Sequence, residues 1–180
     1  MSAKNILTRR RFVAFAGSAA ALAVFPFQPN PCASAPVHQG DTMTKLMPYL
    51  LFDGTCSDAM QFYQSVFGGQ LSIAKVKDSP AKDRMPAFQH EKTLNAHLQS
   101  GDLEISASDW LAANATPLRG NTVCLFLSGG APKDLKALFE KLSQGAQVTD
   151  PLKEVFFGLY GALNDKFGVR WMFQTSERSQ

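Results

Sequence analysis

The stretch that decides the fold reads PYLLFDGTCSDAMQFYQSVFGG, from Pro48 to Gly69. It opens with a short apolar run that ends at Gly54, which predicts a strand. Apolar side chains then recur with helical spacing until Gly68, which predicts an amphipathic helix. Thr55 stands at the predicted N-cap, and Asp58 follows three residues later, as in a capping box. The first unit is therefore a strand followed by a helix.

Three more strands are predicted after this helix. The segment QLSIAKVK, which begins at Gln70, alternates apolar and polar residues. After a loop with two prolines and mixed charge, TLNAHLQS and DLEISAS alternate in the same way, and the Ser-Gly-Asp turn between them predicts a hairpin. The order of elements is therefore βαβββ.

The same order begins again after the linker WLAANATPLRGN. TVCLFLS predicts a strand, APKDLKALFEKLSQG an amphipathic helix, and three alternating segments follow it. Units that each leave an apolar face uncovered tend to pack together. We predict an α+β fold of two βαβββ modules, residues 45–109 and 121–176, within one domain of residues 45–176. A single α+β sandwich without internal symmetry is the alternative.

Net charge excludes one class of partner. The chain has 180 residues, with 18 basic and 15 acidic side chains. Four of the basic residues and none of the acidic ones lie in the first 35 positions, so the remainder holds 14 basic residues against 15 acidic ones. Without a basic patch, we expect no nucleic-acid partner.

The first 35 residues have the order of a targeting segment. Thr8-Arg9-Arg10-Arg11-Phe12-Val13 resembles the twin-arginine export signal, and an apolar run to Phe27 follows. That run is shorter than the roughly 20 residues of a membrane span. We predict a signal peptide at 1–35, a linker at 36–44 and a periplasmic mature protein without a membrane span. An amphipathic surface helix is the alternative, and translation from Met43 would leave a cytoplasmic product.

Three stretches carry a family resemblance: PYLLFDGTCSDAMQFYQSVFGG, NAHLQSGDLEISASD and LYGALNDKFGVRWMF. The most specific piece is Asp165-Lys166-Phe167-Gly168 followed by Trp171. Together they resemble the vicinal oxygen chelate superfamily of glyoxalase I, bleomycin-resistance proteins and extradiol dioxygenases, and above all its PhnB-like branch. The resemblance implies a glyoxalase-like incomplete barrel whose concave faces hold a ligand or a metal, and a homodimer.

Candidate site residues follow from strand alternation, which places Asn95, His97, Glu104 and Ser106 on one face. A His97–Glu104 pair across the hairpin is a candidate catalytic acid–base pair. A hydrogen-bonded pair without a catalytic role, or two separately solvated residues, remain open. The predicted ligand-binding residues are Asn95, Ser106, Thr122, Cys124, Phe126, Met172 and Trp110.

In metal-dependent members of the superfamily, four strand positions supply the ligands. The resemblance aligns them with Pro48, Glu104, Thr122 and Met172, of which only Glu104 suits a hard or borderline divalent ion. We therefore expect no cofactor and a small-molecule binder. A metal-dependent glyoxalase-like lyase or isomerase, or a dioxygenase, with an atypical site around Glu104 and His97, is the alternative.

Two cysteines, Cys56 and Cys124, lie within the predicted domain. In an oxidising compartment they could pair, and the sequence leaves this open. A free Cys56 at a helix start is expected to have a somewhat favoured thiolate. The alternative is that both cysteines are small, half-buried residues without a reactive role.

Overall fold

The computed structural model describes residues 44–112, 117–118 and 120–176. The predicted signal peptide, the linker up to position 43 and the alternative start Met43 lie outside these residues. Along the chain the elements are β1 (Tyr49–Phe52), α1 (Cys56–Phe67), β2 (Gln70–Lys75), β3 (Thr93–Ser100), β4 (Leu103–Asp109), β5 (Leu125–Ser128), α2 (Pro132–Leu142), β6 (Gln147–Val155), β7 (Gly158–Asn164) and β8 (Arg170–Thr175). The predicted α+β order of two βαβββ modules is confirmed.

Each module forms one four-stranded mixed sheet. The strand order is β1-β4-β3-β2 in the first sheet and β5-β8-β7-β6 in the second. In both, the first strand of the module runs parallel to the last, and the other pairs are antiparallel. Neither sheet closes on itself, as expected of half-barrels.

Strand alternation separates the core from the open face of each sheet. In the predicted hairpin, Ala96, Leu98, Ile105 and Ala107 are buried, whereas Asn95 is exposed and His97 half-buried. Helix α1 covers this apolar side with Ala59, Met60, Tyr63 and Val66. In the second module, α2 buries Leu135 and Leu142. The predicted faces of both helices therefore pack inward.

The start of helix α1 differs from the predicted capping box. The side chain of Thr55 makes no capping hydrogen bond. Instead, the backbone N–H of Cys56 donates to Asp109 Oδ1 over 3.0 Å, so a carboxylate 53 residues away binds the helix N-terminus. A capping box is a local pattern, and here a buried side chain from β4 takes its place.

The two modules meet at one buried carboxylate. Asp165 Oδ2 accepts hydrogen bonds from the Tyr63 hydroxyl over 2.6 Å and from Trp171 Nε1 over 2.9 Å. Its Oδ1 accepts from the backbone N–H groups of Phe167 and Val169, each over 2.9 Å. The rings of Tyr63 and Trp171 pack edge to face, with centroids 5.5 Å apart. Helix α1 is thereby joined to β8 of the other module.

Neither helix within the described residues is both long and apolar enough to cross a bilayer.

Candidate functional site

The concave face of the first sheet carries a hydrogen-bonded polar cluster. His97 Nε2 lies 3.4 Å from Glu104 Oε1, and His97 Nδ1 lies 3.0 Å from Ser106 Oγ. Lys45, which no sequence pattern singled out, forms an ion pair with Glu104 Oε2. We call Lys45, His97, Glu104 and Ser106 the polar cluster. The structure thus brings together three of the predicted site residues.

The two contacts of His97 are compatible with one neutral tautomer. An imidazole protonated at Nε2 donates to the Glu104 carboxylate, and its Nδ1 then accepts the Ser106 hydroxyl proton. The Glu104 side chain is 16% exposed, so the carboxylate is shielded but still reachable. Both ring nitrogens of His97 are thus engaged, and Glu104 is the member of the pair that a bound molecule can reach.

A cavity of about 680 Å³ lies beside this cluster. It takes Met47, Glu104 and Ile105 from the first module and Phe126 and Ser128 from the second. Most of its wall is apolar, and Glu104 is one of only two acidic residues along it. Both modules therefore contribute to a single cavity.

The start of the first strand lies beside the polar cluster. Tyr49 pairs in register with Ser106, and Ser106 Oγ lies 3.5 Å from Met47 Sδ. Within β1, Tyr49 therefore shares the face of Ser106, whereas Met47 and Pro48 precede the strand and line the cavity. The alignment of Pro48 with the first ligand position stays a prediction.

Other predicted ligand-binding residues gather on the second sheet. Phe126 pairs in register with Met172, and the thiol of Cys124 donates to Met172 Sδ over 3.2 Å. Cys124 and Phe126 line the cavity. Cys124 lies one residue before β5 rather than inside the predicted strand, since β5 begins at Leu125.

Of the nine predicted site residues, Glu104, Cys124 and Phe126 line the cavity, and the other six do not: His97, Ser106, Met172, Thr122, Asn95 and Trp110. Thr122 is exposed in a bend before β5, and Asn95 is exposed two residues before His97 on β3. Trp110 follows β4, and its indole Nε1 is buried without a hydrogen-bond partner among the described residues.

Comparisons with known proteins give the family. The family model described as 3-demethylubiquinone-9 3-methyltransferase matches residues 44–174. The chain belongs to this family. Protein YjdN of Escherichia coli K12 is 29% identical over 138 residues, which cover 71% of this chain and 92% of YjdN. Membership of the PhnB-like branch of the vicinal oxygen chelate superfamily follows from this match together with the solved structures below.

Two solved structures are similar in sequence and fold. Protein PA1353 of Pseudomonas aeruginosa is 31% identical with a TM-score of 0.65, covering 76% of this chain and all of its own. A putative 3-demethylubiquinone-9 3-methyltransferase, PhnB protein, of Bacillus cereus is 25% identical with a TM-score of 0.59, covering 73% of this chain and 99% of its own. A glyoxylase/bleomycin resistance protein/dioxygenase domain of Frankia sp. shares the fold at 18% identity and a TM-score of 0.52, covering 77% and 96%.

The donor set of this PhnB-like chain does not fit the superfamily's divalent metal. No group of three or more His, Cys, Asp or Glu side chains converges anywhere in the described part of the chain. Of the aligned ligand positions, Glu104 is paired with Lys45, and Met172 is in contact with Cys124. Thioether sulfur is a soft donor, whereas zinc and its neighbours prefer imidazole and carboxylate at such sites.

Cys56 and Cys124, the two cysteines in the described part of this PhnB-like chain, are both free and do not form a disulfide with each other. The prediction that the Cys56 thiolate is favoured is wrong. Burial, and secondarily the Asp109 carboxylate, raise the pKa of the Cys56 thiol to about 12, although a hydrogen bond with Thr93 lowers it. The fold favours the neutral thiol, a stabilisation that is complete below the ordinary pKa of about 8.5 and lost as pH rises toward 12.

Sequence reasoning missed Lys45 and Asp109 in this PhnB-like chain. Lys45 lies in an irregular segment before β1, where no periodicity assigns a face. Asp109 ends an alternating strand and is 3% exposed. A carboxylate at the end of an apolar strand is the signal that could have marked it, because buried acids are found almost only with partners.

Proposed function

We propose that this protein binds a small molecule in the concave cavity and holds no divalent metal there. The observation that carries the proposal is the cavity of about 680 Å³ with walls from both modules. Ligand pockets of proteins span about 300–1,000 Å³ and combine apolar walls with a few polar groups. Here the apolar wall includes Leu103, Phe126 and Leu127, and Glu104 belongs to the polar cluster.

This division of the cavity indicates the kind of ligand. An apolar body would lie against Phe126 and Leu127, and a hydrogen-bonding group would reach the Glu104 carboxylate. The Lys45 side chain is 62% exposed, so its ion pair with Glu104 adds little to stability and a ligand can displace it at low cost.

Replacing Phe126 with serine should weaken binding of the neutral dye Nile red by about tenfold, because a contact with a large apolar side chain is lost. Fluorescence titration of the untagged protein measures this. The control is Phe88→Ser, since Phe88 is 71% exposed in the turn Ala87–Gln89 and does not line the cavity. Equal affinities in both variants would refute the cavity assignment. Stoichiometric metal in the same preparation, lost in Glu104→Ala, would refute the metal-free proposal.

Acid–base catalysis is the second candidate function. The 3.4 Å contact of His97 with Glu104, and the Ser106 hydroxyl on the other ring nitrogen, favour it. In a proton transfer of the lyase or isomerase type, Glu104, which lines the cavity, would exchange the proton with the substrate, and His97 would position it. The matching family is described as a methyltransferase. This sequence has no nucleotide-cofactor motif, and we do not extend that activity to it.

We further propose a homodimer. Tyr49 on edge strand β1 is 52% exposed, and Val148 on edge strand β6 is 41% exposed. Exposed apolar residues on unpaired edge strands favour association with a second copy.

We also propose export to the periplasm by the twin-arginine route. In a bacterial host, replacing both Arg9 and Arg10 with lysine should leave the precursor in the cytoplasm, because the motif requires the arginine pair. Arg11→Lys is the control, since Arg11 occupies the variable position of the motif. Cell fractionation measures the distribution. Undiminished periplasmic protein in the double variant would contradict the proposal.

A further inference from the structure

A second and smaller cavity lies where β1 of the first module approaches β5 of the second. It measures about 180 Å³ and is lined by residues 50–52, 120, 123–125 and 168–170. We call it the seam cavity. We propose that the seam cavity binds a small organic carboxylate, with the apolar body between the modules and the carboxylate on Arg170.

The size and lining of the seam cavity suit a body of about one ring. Its walls are formed mainly by the apolar side chains of Leu50, Leu51, Phe52, Val123, Leu125 and Val169. A dry apolar cavity of about 150 Å³ is large enough to bind benzene. A ring-sized apolar group would therefore fill most of the available space.

Arg170 supplies the only charge among the residues that line the seam cavity. In the described part of the chain, no carboxylate forms a salt bridge with its guanidinium. The neighbouring acid, Asp165, accepts four hydrogen bonds inside the domain and is not available to it. A guanidinium binds a planar carboxylate through two parallel hydrogen bonds, so a carboxylate ligand complements this site in charge and shape.

Side chains around Arg170 favour the same chemistry. Arg170 pairs in register with Asn164, whose Nδ2 donates to Gln147 Oε1 over 3.3 Å. These amides are neutral and do not compete for the guanidinium as an acid would. The other nearby cation, Lys166, lies with Nζ 4.0 Å from the centroid of the Phe62 ring and does not line the seam cavity. Arg170 is therefore the cation that a ligand in the seam cavity would meet.

Calorimetric titration of the full chain with benzoate, and with its neutral isostere benzamide, tests the proposal. Benzoate should bind at one site per chain and at least about tenfold more tightly than benzamide, because only benzoate can form charge-assisted hydrogen bonds. Arg170→Gln should remove this preference, and Lys166→Gln should preserve it. Leu51→Trp should abolish binding of both compounds, since Leu51 lines the seam cavity but not the concave one.

The outcomes separate this proposal from the proposed function. Benzoate affinity should be unchanged in Phe126→Ser, because Phe126 lines only the concave cavity. Equal affinity for benzoate and benzamide, or an Arg170→Gln variant with full benzoate affinity, overturns the seam site. The seam site is also overturned if benzoate does not bind at all, as when a second copy of the chain covers Leu51 and Val123. In each of those cases, Nile red binding that depends on Phe126 would still support the proposed function of the concave cavity.

Discussion

Replacing Asp165 with alanine is expected to lower the free energy of unfolding by about 3–5 kcal/mol. The carboxylate is 4% exposed and accepts four hydrogen bonds. Its removal leaves the Tyr63 hydroxyl, the Trp171 indole N–H and two backbone N–H groups short of an acceptor. Each unsatisfied buried donor costs about 1–3 kcal/mol. Because the donors come from both modules, the whole domain should lose stability together.

Urea unfolding followed by tryptophan fluorescence measures this change. Asp83→Ala is the matched control, since Asp83 is exposed in the turn Pro80–Arg84 and should change stability by no more than about 0.5 kcal/mol. The free energy of unfolding of Asp165→Asn should lie between those of Asp165→Ala and Asp83→Ala. An amide offers one oxygen and one NH₂ group where two acceptor oxygens are needed, so one pair of donors loses its partner. An Asp165→Ala variant as stable as the control would contradict the role of this carboxylate in joining the modules.

The fold was accessible from the sequence because it depends on local periodicity. The alternation of Leu98 and Ile105 with their polar neighbours assigned the faces of the hairpin correctly. Helical spacing between Ala59 and Val66 did the same for α1. The repeat of these patterns after residue 120 predicted two modules.

The long-range partners were not accessible in this way. Asp165 reads in sequence as part of a turn, yet its hydrogen bond to Tyr63 spans 102 residues. Thr55 and Asp58 match a capping box, yet a carboxylate on β4 binds the start of α1. Periodicity reports which side of an element is buried, and it does not report which distant polar groups meet there.

The candidate site was accessible in part for the same reason. His97, Glu104 and Ser106 share one face of one hairpin, so alternation brought them together. Lys45 and Met47 come from an irregular segment whose path depends on the packing of the finished domain. The seam around Arg170 requires both modules in place, so no single stretch of sequence indicates it.

Replacing Asp109 with alanine is expected to cost about 2–4 kcal/mol of unfolding free energy. Asp109 Oδ1 accepts from the Cys56 N–H over 3.0 Å, and Oδ2 accepts from the Thr93 N–H over 2.7 Å. The change leaves two buried backbone N–H groups without an acceptor, that of Cys56 at the start of α1 and that of Thr93 at the start of β3. It also removes a negative charge from a helix N-terminus, where charges of that sign stabilise the helix dipole by about 0.3–1 kcal/mol.

Two substitutions in the same helix start distinguish this long-range cap from a local one. If Asp109 caps α1, Thr55→Ala should have almost no effect, because the Thr55 side chain makes no capping hydrogen bond. Asp58→Ala should cost only the exposed dipole contribution of about 0.3–1 kcal/mol. Urea unfolding ranks the three variants. A Thr55→Ala variant that loses more than Asp109→Ala would restore the capping box and remove the assigned role of Asp109.

The Cys56 thiol provides a second and independent readout of Asp109. Burial is the main cause of its high pKa, and the Asp109 charge adds to it. Removing that charge while retaining the side-chain shape, as in Asp109→Asn, should leave the onset of the alkaline loss of stability unchanged and make the loss itself smaller than in the wild type. The direction follows because a lower folded-state pKa narrows the interval over which the neutral thiol is favoured. If the free energy of unfolding falls with alkaline pH as it does in the wild type, the carboxylate acts on the fold through its hydrogen bonds alone.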